Sequence, residues 1–388
     1  MDEKKEKKLR KYFDMFLQDF SSDKDPKVQW DDLGNGTRII REFRIPLSPE
    51  LHTSKPYIVF IIFVYLKEFS FSGKWEKVAW EIPIKYKDKP FILTHRKFGF
   101  RIIANDDEDL TRELAIEAMT QIHKSINYAE KLIEPYIKQK VNNGNITLDN
   151  EYGQIRRRFT FFRKEAQKAF NVRNDKANYQ ESLEKYYEES EKGLYYTSAM
   201  LDAFYSLLEQ TFVLLIPFID DASIDNLIIE DFILNNWKEK YKVVFELSND
   251  VEANKHLDKL IQLKEQFRNP LAHGNFLKEG GSFKVHMEHL GIIPMNLTKV
   301  DKQLAYSFKG LNEIRFDELC ETLDNFERFL VNHERTKFGM IYIQNDLPVP
   351  FDENTRKRNL IAMTCDESFE EYIHYIKRTI DDGINMDW

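Results

Sequence analysis

The segment at residues 266–276, QFRNPLAHGNF, contains side chains that could take part in cutting a phosphodiester bond without a metal ion. Arg268 carries a guanidinium that stays protonated and matches the geometry of phosphate oxygens. His273 has the side chain whose ordinary pKa allows proton transfer in either direction near pH 7. Asn269 could hydrogen-bond the phosphate or orient the imidazole. Together these residues could assist attack of an RNA 2′-hydroxyl on its neighbouring phosphate.

The spacing of these residues constrains how they could meet. Five positions along an ideal helix turn through about 500°, which places Arg268 and His273 about 140° apart around the axis. Pro270 frees the carbonyl of Gln266 and disfavours a helical conformation at Asn269, so a kink or local unwinding is expected. Such a distortion, or a second protomer, could bring the two side chains together.

A purely structural interpretation of the same segment remains open. Gly274 is typical of the left-handed residue that ends a helix, and a histidine just before it is favoured by the helix dipole. Arg268 would then form an ordinary surface ion pair.

In its full form the segment resembles the signature of the HEPN superfamily (higher eukaryote and prokaryote nucleotide-binding domains). That signature is an arginine, usually a polar residue, a few spacers and a histidine, positions filled here by Arg268, Asn269 and His273. The resemblance implies a helical domain over about 150–335. It also implies a homodimer in which two motifs form one cleft, and a metal-independent endoribonuclease that needs no cofactor.

The same resemblance implies a biological setting. Such proteins serve bacterial antiphage defence by abortive infection or act as toxins, and their substrates are often tRNA or other host and phage RNA. Some members keep the fold as inactive RNA-binding, protein-binding or dimerisation modules, which is the alternative function for this chain. In the active endoribonuclease, the N-terminal region would regulate cleavage or sense a trigger ligand or protein.

A second candidate contact with RNA is the basic stretch at residues 155–173, where aromatic side chains alternate with cations and Glu165 is the single acid. Cations interleaved with aromatic rings can follow a phosphate backbone and stack on bases. The alternative is a cationic helix face that pairs with the acids of 181–191. The residues predicted to contact RNA are Arg156, Arg157, Arg158, Arg163 and Lys164.

Three other features of the sequence bear on its chemistry. Glu209 lies within an apolar helix, where a buried acid needs a partner, and Arg268 or His273 is the candidate partner; an exposed position at the bundle edge is the alternative. His286 and His289 could bind a metal only on a helix, and their surroundings indicate strand or loop, so no metal site is expected. No phosphate-binding glycine loop is present.

Composition limits the class of protein. At 388 residues with 42% hydrophobic residues, the chain is expected to fold into two domains with a small appendage. Two cysteines, and no visible signal or membrane-spanning segment, favour a cytoplasmic protein without membrane contact. A net charge of −8 excludes a polycation that coats nucleic acid, so RNA contact must be local.

The pattern along the chain predicts an α+β protein. A short helix at 3–20 precedes strands near 37–45, 57–66, 75–86 and 97–103. Helical periodicity then begins at Leu110, and helices are predicted over 110–137, 150–190, 195–218, 225–246, 252–273 and 311–335, with a loop-rich insert before the last. A strand at 340–343 and a helix at 366–382 follow. The predicted domains are a mainly β N-terminal sensor (1–105), an all-α HEPN-like bundle (106–335) and a short α/β C-terminal extension (336–388).

Overall fold

The computed structural model describes residues 3–23, 30–32, 38–40, 43–51, 55–73, 77–171, 179–221, 224, 227–264, 280–288, 291–300, 303–308 and 316–385. The chain is α+β, as predicted, with an antiparallel sheet near the N-terminus and mostly helices after it. Backbone contacts divide it into two compact units: unit 1 (residues 1–140 and 375–388) and unit 2 (residues 141–374). The domain boundaries at 105/106 and 335/336 remain predictions.

The first element of unit 1 is a helix, which confirms the helix predicted from the amphipathic pattern of this segment. Its elements, in chain order, are α1 (Glu3–Phe16), β1 (Phe20–Ser22), β2 (Trp30–Asp32), β3 (Arg38–Ile40), β4 (Phe43–Arg44), α2 (Pro56–Phe60), a π-helical turn (Ile61–Leu66), β5 (Val78–Tyr86), β6 (Lys89–Arg96), β7 (Gly99–Ala104) and α3 (Asp109–Asn142).

Five of these strands form one antiparallel sheet in the order β1-β5-β6-β7-β4. In β5 every second residue is buried, so one face of the strand points into the core. Residues of α1, α2, the π-helical turn and α3 belong to the same apolar cluster as this sheet. β6 was not predicted. Lys87 and Asp88 both have positive φ and form a tight turn that a hairpin can use, without the Asn-Gly signal that would reveal it.

The predicted strand over residues 57–66 is wrong, because this run forms α2 and the π-helical turn. An unbroken apolar run fits a buried helix as well as a buried strand. Pro56 occupies the first turn of α2, where a missing N–H costs nothing. The buried residues Ile58, Val59, Ile62 and Phe63 recur at helical spacing, which places them on one side of the segment.

Unit 2 is mainly helical, which confirms most of the helix predictions. Its elements, in chain order, are β8 (Thr147–Leu148), α4 (Tyr152–Phe170), α5 (Tyr179–Leu215) with a 3₁₀ turn (Ile216–Phe218), α6 (Ile229–Leu234), α7 (Trp237–Val244), α8 (Val251–Leu263), β9 (Gly280–Met287), β10 (Gly291–Val300), β11 (Gln303–Phe308), α9 (Phe316–Asn332), α10 (Lys337–Gln344), β12 (Val349–Pro350), α11 (Glu353–Ala362) and α12 (Asp366–Asn385), whose last residues are assigned to unit 1.

Two predictions in this unit are corrected. The insert before α9 is not loop-rich throughout, since β9, β10 and β11 form an antiparallel sheet. The strand predicted at 340–343 lies in helix α10. Because Phe338, Met340, Tyr342 and Ile343 are all buried, this short segment has no polar face whose period would identify it as a helix.

Helix α5 is surrounded by other elements. Phe204, Leu207, Leu208 and Phe212 are each at most 3% exposed. Among the described residues, Glu191–Phe218 is long and apolar enough to cross a membrane by length and composition, and 72% of its most apolar window is buried inside the protein. The central helix of a soluble bundle meets the same criteria.

The contact between α10 and the end of α5 leaves no room for a side chain at Gly339. A Cβ atom placed there would lie 2.6 Å from Cδ2 of Leu215 and 3.1 Å from Cβ of Phe218. We expect Gly339→Ala to lower the free energy of unfolding by about 1–3 kcal/mol, because overpacking outweighs the better helix propensity of alanine. Urea unfolding followed by circular dichroism measures the change. The control is Ile341→Ala at a more exposed position of α10, and an equal loss there would contradict the packing argument.

Candidate functional site

The motif residues Arg268, Asn269 and His273 lie outside the described residues, as does Gly274. The structure describes the helix that leads into them, α8, and the residue that follows it, Lys264. The contacts of α8 therefore show how the last described residues before the motif are held.

The last described turn of α8 is held against α5 and α7 by a lysine above two aromatic rings. Nζ of Lys264 lies 5.3 Å from the ring centroid of Tyr205 and 5.4 Å from that of Trp237. These two rings are 5.3 Å apart, and the Tyr205 hydroxyl donates a hydrogen bond of 2.6 Å to the carbonyl of Leu260. A cation above aromatic faces is attracted by their negative potential. The helix is thus fixed in place directly before the motif segment.

Glu209 follows Tyr205 by one turn on α5 and is partly buried. Its described electrostatic partner is Lys240 of α7, which is only 4% exposed. Burial lowers the pKa of Lys240, and the negative charge of Glu209 acts in the opposite direction. The partners predicted for Glu209 lie outside the described residues. Lys240 was missed because a lysine between Trp237 and Tyr241 gives no sign in the sequence that it is buried.

A histidine and an aspartate that the sequence did not single out hold the other end of α8. Nε2 of His333 lies 2.8 Å from Oδ2 of Asp250, and the Arg335 N–H donates to Nδ1 of the same ring. Asp250 also caps α8 by accepting from the Ala253 N–H. Burial acts to raise the pKa of Asp250, but its hydrogen bonds from Ala253 and His333 leave that pKa lowered. The pair fastens the start of α8 to the end of α9.

Two of the five residues of α4 that were predicted to contact RNA form ion pairs with another helix of the protein. Arg163 donates two hydrogen bonds, of 2.5 and 2.6 Å, to the carboxylate of Asp324 in α9. Arg156 forms an ion pair with Glu327, one turn further along the same helix. These two guanidinium–carboxylate pairs lie at different positions along α4, and together they fix the rotation of α4 about its axis.

The opposite side of α4 is a cationic and aromatic surface, which we call the α4 stripe: Arg157, Arg158, Phe161 and Lys164. The three cations are exposed, and none of them forms an ion pair with another residue in the part of the chain that the structure describes. Phe161 is 55% exposed and packs edge-on against Phe162. Exposed cations beside an exposed ring are suited to a phosphate backbone and an unpaired base.

A cavity of about 360 Å³ lies between α4, α5, α9 and α10. Its wall is mainly apolar, and its charged residues include Arg156 and Glu327, which neutralise each other. Because the described charges at its wall are largely matched, the cavity offers space for an apolar group and little to recognise a specific polar one. The lining residues include Tyr152, Phe204, Leu208, Leu330, Met340 and Gln344.

Of the two histidines with metal-ligand spacing, the structure describes only His286. His286 is exposed on β9 and is paired in register with Ile292, which confirms a strand there, while His289 lies outside the described residues. Over the ranges that the structure covers, no group of three or more His, Cys, Asp or Glu side chains is arranged to hold a metal ion.

Comparisons with known proteins provide no relative for this chain: no family model matches it, and neither a curated protein nor a solved structure does. The resemblance to HEPN proteins therefore depends on the sequence of the motif and on the helix predicted around it.

The α4–α9 contact predicts a specific pH dependence of stability. The hydrogen bonds from Arg163 lower the pKa of Asp324. A carboxylate with a lowered pKa stabilises the folded protein above its unfolded pKa of about 3.9, and this contribution is lost as the pH falls through the lower, folded value. Compared with Asp324→Asn, the wild type should therefore be more stable at pH 7 and lose that advantage below about pH 4.

Melting temperatures of both proteins between pH 7 and pH 2.5 measure this difference. Asp258→Asn, at an exposed position of α8, is the control and should keep the wild-type profile. A constant difference between wild type and Asp324→Asn over the whole range would show that the carboxylate charge is not what stabilises the contact.

Proposed function

We propose that this chain is a metal-independent endoribonuclease of the HEPN type, with Arg268, Asn269 and His273 as its catalytic residues. The observation that carries the proposal is the RNPLAHG segment at 268–274, which follows shortly after the end of α8 at Leu263. Two features of the described structure support it. Both ends of α8 are fastened to neighbouring helices, and the α4 stripe lies in the same unit as the motif.

The chemistry requires two proton transfers and a stabilised phosphorane. One imidazole removes the proton of the 2′-hydroxyl, whose oxygen attacks the phosphorus while the bond to the 5′-oxygen breaks. An acid protonates that leaving oxygen, and the product is a 2′,3′-cyclic phosphate. Arg268 neutralises the negative charge that develops on the phosphate. Because each motif offers one imidazole, we further propose a homodimer in which His273 of one protomer is the base and that of its partner the acid.

The α4 stripe is the proposed binding surface for the RNA chain. Arg157, Arg158 and Lys164 contact phosphates, and Phe161 stacks on an unpaired base. Arg156 and Arg163 support this surface indirectly, because their ion pairs to α9 set the orientation of α4. Local positive charge of this kind is compatible with a chain of net charge −8.

The proposed setting is cytoplasmic antiphage defence by abortive infection, or a toxin role, with tRNA or other host or phage RNA as the substrate. The alternative is a catalytically inactive HEPN-like module that binds RNA or protein and dimerises. The α4 stripe serves both functions equally, since it can bind RNA whether or not the motif cuts. Only a measurement of cleavage separates them.

The catalytic proposal predicts that Arg268→Ala and His273→Ala each lower the rate of RNA cleavage by about a hundredfold or more, because each removes a group needed in the transition state. Asn269→Ala should cost less, since orientation is partly kept. Cellular RNA incubated with the purified protein in EDTA should give 2′,3′-cyclic phosphate and 5′-hydroxyl ends. RNA with a 2′-deoxy nucleotide at the cut site is the matched substrate control and should resist.

Circular dichroism must show that the variants stay folded. Full activity of a folded His273→Ala protein, or 5′-phosphate ends that disappear with EDTA, would remove the basis of this mechanism.

RNA binding by the α4 stripe is tested by reversing its charges in the His273→Ala background, where no cutting interferes. The change Arg157→Glu, Arg158→Glu and Lys164→Glu should weaken binding of single-stranded RNA at least tenfold. It should also reduce the slope of log Kd against log salt by about 2, since each phosphate contact contributes about 0.7.

The control reverses three other exposed cations of the same unit, Lys242, Lys357 and Arg358, and therefore changes the net charge equally. Equal losses in the two triple variants would mean that net charge, and not the α4 stripe, governs binding.

A further inference from the structure

The cavity between α4, α5, α9 and α10, which we call the interhelical cavity, has buried hydrocarbon side chains in its wall. Leu207 and Leu208 of α5, Leu330 of α9 and Met340 of α10 line it, and each is at most 4% exposed. Arg328 of α9 also lines it but is exposed. The cavity therefore extends from solvent at Arg328 to an apolar inner wall.

The size of the interhelical cavity is that of a ligand site. Protein interiors are close-packed and have few voids larger than a water molecule. This cavity of about 360 Å³ instead has room for about twelve waters, at about 30 Å³ each. Small-molecule sites measure about 300–1,000 Å³ and are lined mainly by apolar side chains. Since apolar surface in contact with water is unfavourable, a hydrocarbon ligand would be more stable there than water.

The inner wall has little to offer a polar group. Thr211 of α5 lines the cavity there and is 1% exposed. Its hydroxyl donates a hydrogen bond of 2.7 Å to the carbonyl of Leu207, so its proton is already used. A polar group of a ligand placed at this depth would lose its hydrogen bonds to water and gain few in return. The part of a ligand that lies inside must therefore be apolar.

The charges in the wall leave one cation unmatched. The described charged residues that line the cavity are Arg156, Asp324, Glu327 and Arg328. Glu327 pairs with Arg156. Asp324 accepts two hydrogen bonds from the guanidinium of Arg163. Arg328 donates to the neutral side chain of Asn325 and forms no ion pair with another described residue. The exposed end of the cavity thus carries a net positive charge.

From this arrangement we propose that the interhelical cavity binds a small amphipathic carboxylate, of the class of a medium-chain fatty acid. A methylene group takes up about as much space as a water molecule, so a chain of about eight carbon atoms fits. The hydrocarbon chain lies against the leucines of α5 and Met340. The carboxylate stays at the exposed end, where the guanidinium of Arg328 attracts it.

The head group is held by its charge alone, so the site selects for an anion and for chain length and not for one particular compound. The inference does not depend on RNA cleavage, because binding in unit 2 can be measured whether or not the motif is active.

Isothermal titration of the full chain with octanoate at pH 7 tests the site. We expect saturable binding with a Kd below about 1 mM. Each added methylene group should tighten binding about threefold to fourfold, so octanoate should bind about tenfold more tightly than hexanoate. Octylammonium has the same chain and the opposite charge, and it should bind at least tenfold more weakly than octanoate.

Two variants test the two ends of the cavity separately. Arg328→Gln, at an exposed position, should weaken octanoate at least fivefold and should not weaken octylammonium. Val331→Trp should prevent binding of octanoate, because Val331 lines the cavity and is only partly buried, so the larger ring can fill the space. Arg358→Gln changes the net charge equally at an exposed position outside the cavity lining, and this control should bind octanoate as the wild type does.

Three results would each overturn the proposal. The first is the absence of saturable octanoate binding up to 5 mM, which would mean that the cavity holds only water. The second is equal affinity for octanoate and octylammonium, which would remove the basis for an anionic head group. The third is wild-type affinity for octanoate in folded Arg328→Gln, which remains a decisive variant even if Val331→Trp does not fold.

Discussion

The arrangement of unit 2 depends on the burial of one helix. Because α5 is apolar on nearly every side, other elements must surround it, and α4, α7 and α10 do so. Polar groups that are buried in the unit then need partners on neighbouring helices. Tyr205 illustrates this, because its ring is buried and its hydroxyl donates a hydrogen bond to the Leu260 carbonyl, which connects α5 to α8. The region that precedes the motif is thereby built onto the most buried part of the unit.

Some cations of α4 form ion pairs with α9 and others are exposed, and the sequence alone does not show which are which. Arg156, Arg157 and Arg158 are consecutive and chemically identical, but a helix turns each by about 100° from the last. One therefore faces the acids of α9, and the other two face solvent. The ion pairs of Arg156 and Arg163 lie on the side of α4 opposite the α4 stripe, so the same helix both supports the fold and carries the proposed contact surface. A basic run in a sequence is for this reason a poor guide to which cation is available.

Whether an element could be predicted from the sequence depends on the pattern of buried and exposed residues in its segment. The long amphipathic helices α3 and α9 were predictable because their buried residues recur at helical spacing. Short apolar segments were not: even the exposed positions of α2 and α10 include apolar or aromatic residues, as at Tyr57 and Ile341, so helix and strand give the same pattern. The sites differ in the same way. Arg268 and His273 could be proposed because their chemistry is local in sequence. The proximity of Glu209 to Lys240 arises only when α5 and α7 pack together.

The ion pairs between α4 and α9 join residues far apart in the chain, with 161 positions separating Arg163 from Asp324. A ribosome makes α4 and the motif segment long before it makes the acids that hold α4 in place. Until α9 emerges, the cationic helix lacks its counter-charges and its fixed rotation. For a protein proposed to destroy RNA, the order of synthesis thus delays the finished binding surface until most of the chain has been translated. The cell that makes this protein is exposed to a complete copy only at the end of each round of translation.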